Sequence, residues 1–256
     1  MSITDKDILI KIENIYKSFG EHEVHRGMNL LIPKGGISVI LGPSGTGKSV
    51  LLKQMMGLIM PDKGNIFVDG KNIVEMDKKQ LLKLRRKFGM LFQNAALFDS
   101  MNVFDNVAFP LREHTKYREK QIKEIVLEKL RLVGLKNVEK KMPSELSGGM
   151  KKRVGLARAI ALEPDIILYD EPTTGLDPIM RDMVDNLISD TQKHLNITSV
   201  VISHDIESTL KIADFVSMIY DGKTVINGTI DDFKTTDNPY VKQFLSGSME
   251  GPIKVF

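Results

Sequence analysis

Three absences limit what kind of protein this is. The 256-residue sequence has no cysteine, so disulfides and thiolate metal sites are excluded and a reducing cytosol is permitted. The nearest candidate for a membrane span, residues 50–60, is broken by Lys53 and Gln54 and falls short of the ~18 residues required. The N-terminus lacks the basic, apolar and small-residue pattern of a signal peptide. We therefore expect a soluble chain that reaches a membrane only through a partner.

A strong excess of one charge is also missing. The net charge is +3, from 36 basic and 33 acidic residues, which is too mild to predict nucleic acid or an anionic membrane as a partner. Basic clusters at residues 83–87 and 151–153 are therefore interpreted as solvated helix faces. The composition, with 42% hydrophobic and 27% charged residues, is that of an ordinary soluble globular protein. The length allows one large domain or a core with a small lobe.

What the sequence does contain is an alternation of strand and helix patterns. Apolar alternation and short β-branched runs predict strands at 8–15, 28–32, 37–41, 66–68, 72–74, 88–92, 166–169, 199–203, 215–220 and 224–226. Helical periodicity predicts helices at 48–58, 116–133, 179–195 and 206–212, and residues 94–162 are predicted to be mainly helical. This alternation predicts an α/β fold with a parallel sheet and an inserted helical lobe.

A glycine-rich loop follows the predicted strand at 37–41. It matches the pattern G-x-x-x-x-G-K-[ST] and consists of Gly42, Pro43, Ser44, Gly45, Thr46, Gly47, Lys48 and Ser49, with Val50 next in the predicted helix. Glycines let backbone N–H groups turn toward phosphate oxygens, and the helix N-terminus favours the same anion. Lys48 is expected to reach the β- and γ-phosphates, and the Ser49 hydroxyl to ligate Mg²⁺. The pattern predicts a Mg-nucleotide site; the alternative is a glycine-rich turn with a chance lysine.

Two carboxylates end the apolar strand predicted at 166–169. Asp170, at the carboxyl edge of a parallel sheet, is expected to hold Mg²⁺ through water, and Glu171 to polarise the attacking water. An apolar run followed by Asp-Glu is a weak signal alone, and a solvated strand end is the alternative interpretation. The upstream phosphate loop favours the site.

Residues 146–150 read Leu-Ser-Gly-Gly-Met, and a basic helix start follows. Here the sequence resembles the nucleotide-binding subunits of ABC transporters, whose signature ends in Gln where this chain has Met150. The resemblance covers nearly the whole chain. It implies a P-loop NTPase (RecA-like) core with an antiparallel β subdomain and an inserted α-helical subdomain. The implied bounds are a core of residues 1–93 and 163–246, a helical subdomain of 94–162, and a C-terminal tail of 247–256.

The same resemblance implies roles for individual residues. Phe19 matches the aromatic residue that stacks on adenine in this family. Asp177 matches a residue of the loop that lies across the dimer seam, and His204 matches the switch histidine that contacts the γ-phosphate. The implied catalytic set is Lys48, Gln93, Glu171 and His204, and the implied metal set is Ser49, Gln93 and Asp170. Ser147, Gly148 and Gly149 of one copy are implied to close over ATP on the other copy, giving a head-to-tail homodimer.

The segment 88–111 narrows the resemblance. Together with the Ser-Gly-Gly-Met variant, it is similar to the ATPases of Mla-type systems, which pair with a multi-span permease and a lipid-binding MCE-domain protein to move phospholipids or other hydrophobic molecules. This implies a peripheral ATPase on the cytoplasmic face of the inner membrane. Phe98, Met101 and Phe104 are expected either to pack the helical lobe or to form part of a groove for a short permease helix.

Two alternatives remain open. One is a transport ATPase of the same mechanism for another solute. The other is a stand-alone ABC ATPase that acts on nucleic acid or protein complexes. The roughly hundred residues between the phosphate loop and the signature show no sustained heptads, and each motif occurs once, which favours a transporter subunit without a nucleic-acid partner. The tail, residues 247–256, is expected either to be frayed or to dock on a second copy.

Overall fold

The computed structural model describes residues 7–254, which form two sheets surrounded by helices. In chain order the elements are β1 (Ile8–Phe19), β2 (His22–Pro33), β3 (Ile37–Leu41), α1 (Lys48–Met55), β4 (Lys63–Val68), β5 (Lys71–Asn72), α2 (Lys78–Arg85), β6 (Phe88–Leu91), α3 (Val103–His114), α4 (Glu119–Leu132), α5 (Gly148–Ala159), β7 (Ile166–Asp170), α6 (Pro178–Leu195), β8 (Thr198–Ser203), α7 (Ile206–Ile212), β9 (Phe215–Tyr220), β10 (Lys223–Thr229), α8 (Ile230–Thr235) and α9 (Pro239–Ser246). No helix within residues 7–254 is long and apolar enough to cross a membrane.

The larger sheet has the order β10-β9-β3-β8-β7-β6. Five of its strands are parallel, and β10 pairs with β9 in the antiparallel sense at one edge. Because the strands are parallel, the carboxyl ends of β3, β8 and β7 meet at one edge of the sheet. That edge carries the phosphate loop, Asp170 and His204.

The smaller sheet is antiparallel, with the order β2-β1-β4-β5. Its first hairpin is longer than predicted, because irregularities in the β1–β2 register let pairing continue to Phe19 and His22. The prediction of a strand at 72–74 is wrong beyond Asn72. The Asn72 side chain accepts a hydrogen bond from Val74 N and caps a 3₁₀ helix at Ile73–Glu75 instead.

Alternate residues of the parallel strands enter two hydrophobic cores. Ile40 of β3 and Leu168 of β7 pack with α1 and the antiparallel sheet in one core. Val39 and Tyr169 face the other core, which contains α3, α4 and α5. The helices between β6 and β7 thus share a core with the sheet, and the subdomain bounds at 94 and 162 stay a prediction.

Three short helices escaped the sequence prediction. The α2 helix begins with a capping box between Asp77 and Gln80, and α8 begins with one between Thr229 and Asp232. Asn238 caps α9, which has proline at its first position. These cap residues are the sequence signals that identify such helix starts.

The C-terminal segment folds back on its own chain. Gln243 of α9 donates from Nε2 to the carbonyls of Ser248 and Ile253, and its Oε1 accepts from Ile253 N at 2.6 Å. Lys254 N donates to the Tyr220 hydroxyl. The tail is therefore not frayed up to Lys254. Val255 and Phe256, which belong to the predicted apolar terminus, lie outside the described residues, and docking on a second copy stays a prediction.

Candidate nucleotide site

The phosphate loop joins a fully buried strand to a helix. All five residues of β3 are buried, and the loop that follows turns into α1 at Gly47, which is the helix N-cap. Gly47 has a left-handed backbone with φ of 89°, which favours glycine. The first N–H groups of α1 therefore face the space beside the loop, an arrangement that binds anions.

Lys48 lies beneath the loop rather than in solvent. Its side chain is 4% exposed, and Nζ donates to the carbonyls of Gly42 at 2.8 Å and Pro43 at 2.7 Å. Burial lowers the pKa of Lys48, and the nearby carboxylates of Glu171 and Asp170 partly oppose that shift. Thr46 also donates to Pro43 O, at 2.9 Å. The side chains of the loop thus fix its own carbonyls.

Ser49 and Asp170 form the oxygen pair expected of a magnesium site. The Ser49 hydroxyl donates to Asp170 Oδ1 at 3.0 Å, across 121 residues of sequence. Burial raises the pKa of Asp170, and the hydrogen bond from Ser49 opposes that shift. Within residues 7–254, no three His, Cys, Asp or Glu side chains cluster so as to hold a metal. The pair therefore fits Mg²⁺ that is shared with nucleotide phosphates, which usually complete such sites.

Glu171 follows Asp170 in a constrained conformation. Its backbone is left-handed, with φ of 47°, and its N–H donates to Ile202 O of β8 at 3.1 Å. Its carboxylate accepts from Thr174 Oγ1 at 3.0 Å and lies 3.5 Å from His204 Nδ1. A strained backbone of this kind is common at functional sites. The structure thus brings together Glu171 and His204, two members of the implied catalytic set.

The side chains of three residues expected at the site form no hydrogen bond or ion pair with this cluster in the described part of the chain. Gln93 is exposed two residues beyond β6, at the same sheet edge as Asp170. Phe19 ends β1, is 48% exposed, and has the Lys17 ammonium 5.3 Å from its ring centroid. Val50 is partly buried in α1. Their assigned roles stay predictions.

The Ser147–Gly149 turn lies at the start of another helix, α5. Ser147 and Gly148 are exposed, and Ser147 Oγ accepts from Met150 N at 3.3 Å. Gly149 packs so closely on α6 that a Cβ there would overlap the Met180 side chain. Asp177 caps that same α6 helix by accepting from Ile179 N and Met180 N. The turn and Asp177 are thus neighbours, and within the described residues no hydrogen bond links this turn to the phosphate loop.

Three supporting residues were not predicted from the sequence, and the interpretation of residues 151–153 as a solvated helix face is wrong for Lys152. Thr174 orients Glu171, as described above. Lys152 of α5 is buried and donates from Nζ to Pro172 O, so it ties the helix of the Ser147–Gly149 turn to the segment after Glu171. His25 of β2 contacts Gly47 O. Only Thr174 carried a local signal, because it lies three residues after Glu171; the other two contacts join distant segments.

Comparison with known proteins decides the family. Residues 25–174 match the ABC transporter family. The chain belongs to this family. Among curated relatives, the intermembrane phospholipid transport system ATP-binding protein MlaF of Haemophilus influenzae is 46% identical over 96% of this chain and 93% of its own. A probable ribonucleotide transport ATP-binding protein, mkl of Mycobacterium leprae, is 47% identical over 96% of this chain and 71% of its own.

Solved ABC structures share the fold. CbiO1 of Clostridium perfringens, part of the transporter complex cbiONQ, superposes with a TM-score of 0.83 at 30% identity and covers 93% of this chain and 95% of its own. A dimeric post-hydrolysis state of the ATP-binding cassette MJ0796, bound to ADP and Pi, superposes with a TM-score of 0.77 at 30% identity. It covers 86% of this chain and 98% of its own. The predicted family, the P-loop fold class and the ATPase class are confirmed.

Proposed function

We propose that two copies of this ABC ATPase close on two Mg-ATP molecules and drive a membrane permease that moves phospholipid or another hydrophobic substrate. One observation carries the ATPase mechanism: the ends of three adjacent strands bring Lys48, the Ser49–Asp170 pair and the Glu171–His204 pair to the rim of one phosphate loop. Phosphoryl transfer requires mainly this positioning and charge stabilisation.

Each side chain has a task at this rim. Lys48 exchanges its bonds with loop carbonyls for the β- and γ-phosphates, and the loop N–H groups hold the same oxygens. Glu171 accepts the proton of the attacking water, and the hydrogen bond from Thr174 orients the Glu171 carboxylate. His204 orients that carboxylate and contacts the γ-phosphate. Ser49, Asp170 and Gln93 would hold Mg²⁺, which when bound would act as a Lewis acid and neutralise phosphate charge.

The second half of the site is proposed to come from the partner copy. Gly148 and Gly149 stand in the first turn of α5, where backbone N–H groups have no intrahelical acceptor. Because Ser147 and Gly148 are exposed, they are free to contact the γ-phosphate of a second molecule, with Asp177 beside them at the seam. The dimeric form of MJ0796 supports this arrangement by its similarity.

The permease is proposed to dock on the groove between β6, α2, α3 and α5, which has a volume of about 670 Å³. Phe98 lies in it, 42% exposed, with its ring 4.9 Å from Phe109 and the Arg158 guanidinium 5.6 Å away. Phe104, by contrast, packs against the core. Met101 is partly buried and does not line the groove. Of the three side chains in the predicted segment, Phe98 is thus best placed to meet a short apolar helix.

The substrate class rests on the relatives. The name of the Haemophilus influenzae relative states phospholipid transport, and the chain covers 93% of that protein. The name of the Mycobacterium leprae relative states ribonucleotide transport, and the chain covers 71% of that one. The fuller coverage favours phospholipid, and ribonucleotide is the second candidate. The resemblance of the sequence to Mla-type ATPases adds an MCE-domain partner and a position on the cytoplasmic face of the inner membrane to the proposal.

Purification from membranes in mild detergent tests this function. We expect a permease and an MCE-domain protein to co-purify, and the ATPase activity of the reconstituted complex to rise with phospholipid and not with ribonucleotides. Phe98→Ser should lose the permease while the isolated chain keeps its basal ATPase activity. Phe104→Ser, at a partly buried phenylalanine outside the groove, is the matched control and should keep the permease. Stimulation by ribonucleotides alone, or a nucleic-acid partner without a permease, would overturn the lipid assignment.

A further inference from the structure

A histidine is buried beneath the phosphate loop. His25 lies in β2 and is 1% exposed. Its inward neighbours along the strand, Val24, Met28 and Leu30, are apolar. Packing alone would be satisfied by a leucine or phenylalanine at this position, since burying a polar ring is unfavourable unless it is hydrogen-bonded. A buried imidazole therefore requires a hydrogen-bond partner.

The hydrogen-bond partner is the backbone carbonyl of Gly47, the last glycine of the loop. His25 Nε2 lies 3.2 Å from Gly47 O. A carbonyl only accepts, so Nε2 must carry the proton. The same carbonyl accepts from Leu51 N at 2.9 Å, which is the first hydrogen bond of α1. Two donors from different elements therefore fix the peptide plane of Gly47.

The contact is close as well as polar. A Cβ placed on Gly47 would lie 2.5 Å from Val24 Cγ1 and 2.8 Å from His25 Nε2. The β2 strand thus holds the left-handed turn of Gly47 from below. Because β2 also pairs with β1, which ends at Phe19, the same strand connects the loop to the hairpin proposed to hold adenine.

The surroundings of His25 favour the neutral form of the ring. Burial lowers the pKa of His25, and the contacts with Gly47 and Gln54 oppose that shift. Gln54 of α1 is also fully buried, yet no hydrogen bond of normal geometry joins its carboxamide, or His25 Nδ1, to any atom of the described residues. The Nε2 contact is therefore the one well-formed hydrogen bond of this ring within residues 7–254.

We propose that His25 is a positioning residue for ATP binding: its Nε2–H holds the Gly47 carbonyl so that the loop N–H groups face the phosphates. This inference rests on the proposed ATPase function. His25 acts on the conformation of the phosphate loop, with or without bound nucleotide, and takes no part in the hydrolytic step. Its loss is expected to weaken Mg-ATP binding and leave the hydrolytic step intact.

The test compares two variants with different donors. His25→Phe keeps the ring and removes the N–H, whereas His25→Gln keeps a donor near the Nε2 position. We expect His25→Phe to raise KM for Mg-ATP about fivefold, the worth of one net hydrogen bond, with kcat within about twofold of wild type. His25→Gln should restore KM to within about twofold. His194→Phe, at the opposite end of the sheet, is the matched control and should leave KM unchanged.

Thermal unfolding of every variant separates positioning from stability. The proposal is overturned if KM of His25→Phe matches wild type, if kcat falls as much as KM rises, or if His25→Gln fails to restore KM while its melting temperature is unchanged. If His25→Phe does not fold, His25→Gln and His25→Leu decide by the same comparison of KM. A wild-type chain that neither binds nor hydrolyses ATP would instead refute the proposed function itself.

Discussion

The phosphate loop and the Ser147–Gly149 turn are both glycine-rich starts of helices, but their surroundings differ. The loop follows a buried strand, and three side chains hydrogen-bond its carbonyls: Lys48 bonds two of them, and Thr46 and His25 bond one each. The Ser147–Gly149 turn has an exposed face and one side-chain cap. The difference indicates that the loop is preorganised within the chain, and it supports our proposal that the turn presents its N–H groups to a second molecule.

The largest effect expected from this comparison is that of Glu171→Gln. Removal of the proposed general base should lower kcat by at least about a hundredfold, because the amide cannot take the proton of the attacking water. ATP binding should persist, since the loop and Lys48 are untouched. Sedimentation with Mg-ATP should then show a stable dimer.

The control for Glu171→Gln is the same variant with ADP, which lacks the γ-phosphate that both copies are proposed to hold and should leave monomers. A Glu171→Gln chain that binds Mg-ATP yet sediments as a monomer would contradict the proposal that the Ser147–Gly149 turn of one copy completes the ATP site of the other.

A smaller effect is expected on the loop side alone. Asp170→Asn removes one carboxylate oxygen from the Ser49–Asp170 pair but keeps its shape. We expect the Mg²⁺ concentration for half-maximal ATPase activity to rise about tenfold or more, as for outer-shell partners of metals. Asp182→Asn, on the exposed face of α6, is the control. An unchanged Mg²⁺ dependence would remove Asp170 from the metal site.

The smallest expected effect is on stability, at Asp185, which lies outside both the phosphate loop and the Ser147–Gly149 turn. Asp185 is 2% exposed between α6 and α7, where it accepts from Ser208 Oγ at 2.9 Å. Burial raises the pKa of Asp185, so wild-type stability falls as pH rises through that pKa and stays lower at neutral pH. Asp185→Asn keeps an acceptor for Ser208 and should raise the free energy of unfolding at pH 7 on the order of 1 kcal/mol.

Urea titrations of both chains at acidic and neutral pH check the Asp185 prediction. The gain from Asp185→Asn should shrink as pH falls, and ATPase activity should not change. A variant that is less stable than wild type at neutral pH would show that the carboxylate is better accommodated than its burial suggests.

Sequence patterns predicted the elements that bury regular apolar faces. The β3, α7 and β9 bounds match the predicted ranges, because continuous apolar runs and helical spacing there agree with burial. The short helices α2, α8 and α9 depend on caps and on packing that no periodicity shows. The resemblance supplied roles for Gln93 and His204 that spacing alone does not give. Contacts such as those of His25 and Lys152 join segments far apart in sequence, so local patterns contain no trace of them.

The central claim, that each ATP site combines one copy's loop with the other's Ser147–Gly149 turn, is tested most directly by complementation. Lys48→Ala and Ser147→Arg are each expected to abolish ATPase activity when alone. Mixed in equal amounts before ATP is added, they should form heterodimers in which one site receives an intact loop and an intact turn. The mixture should then recover about a quarter of wild-type activity, as expected for random pairing of two subunits. A mixture as inactive as its components would contradict the claim.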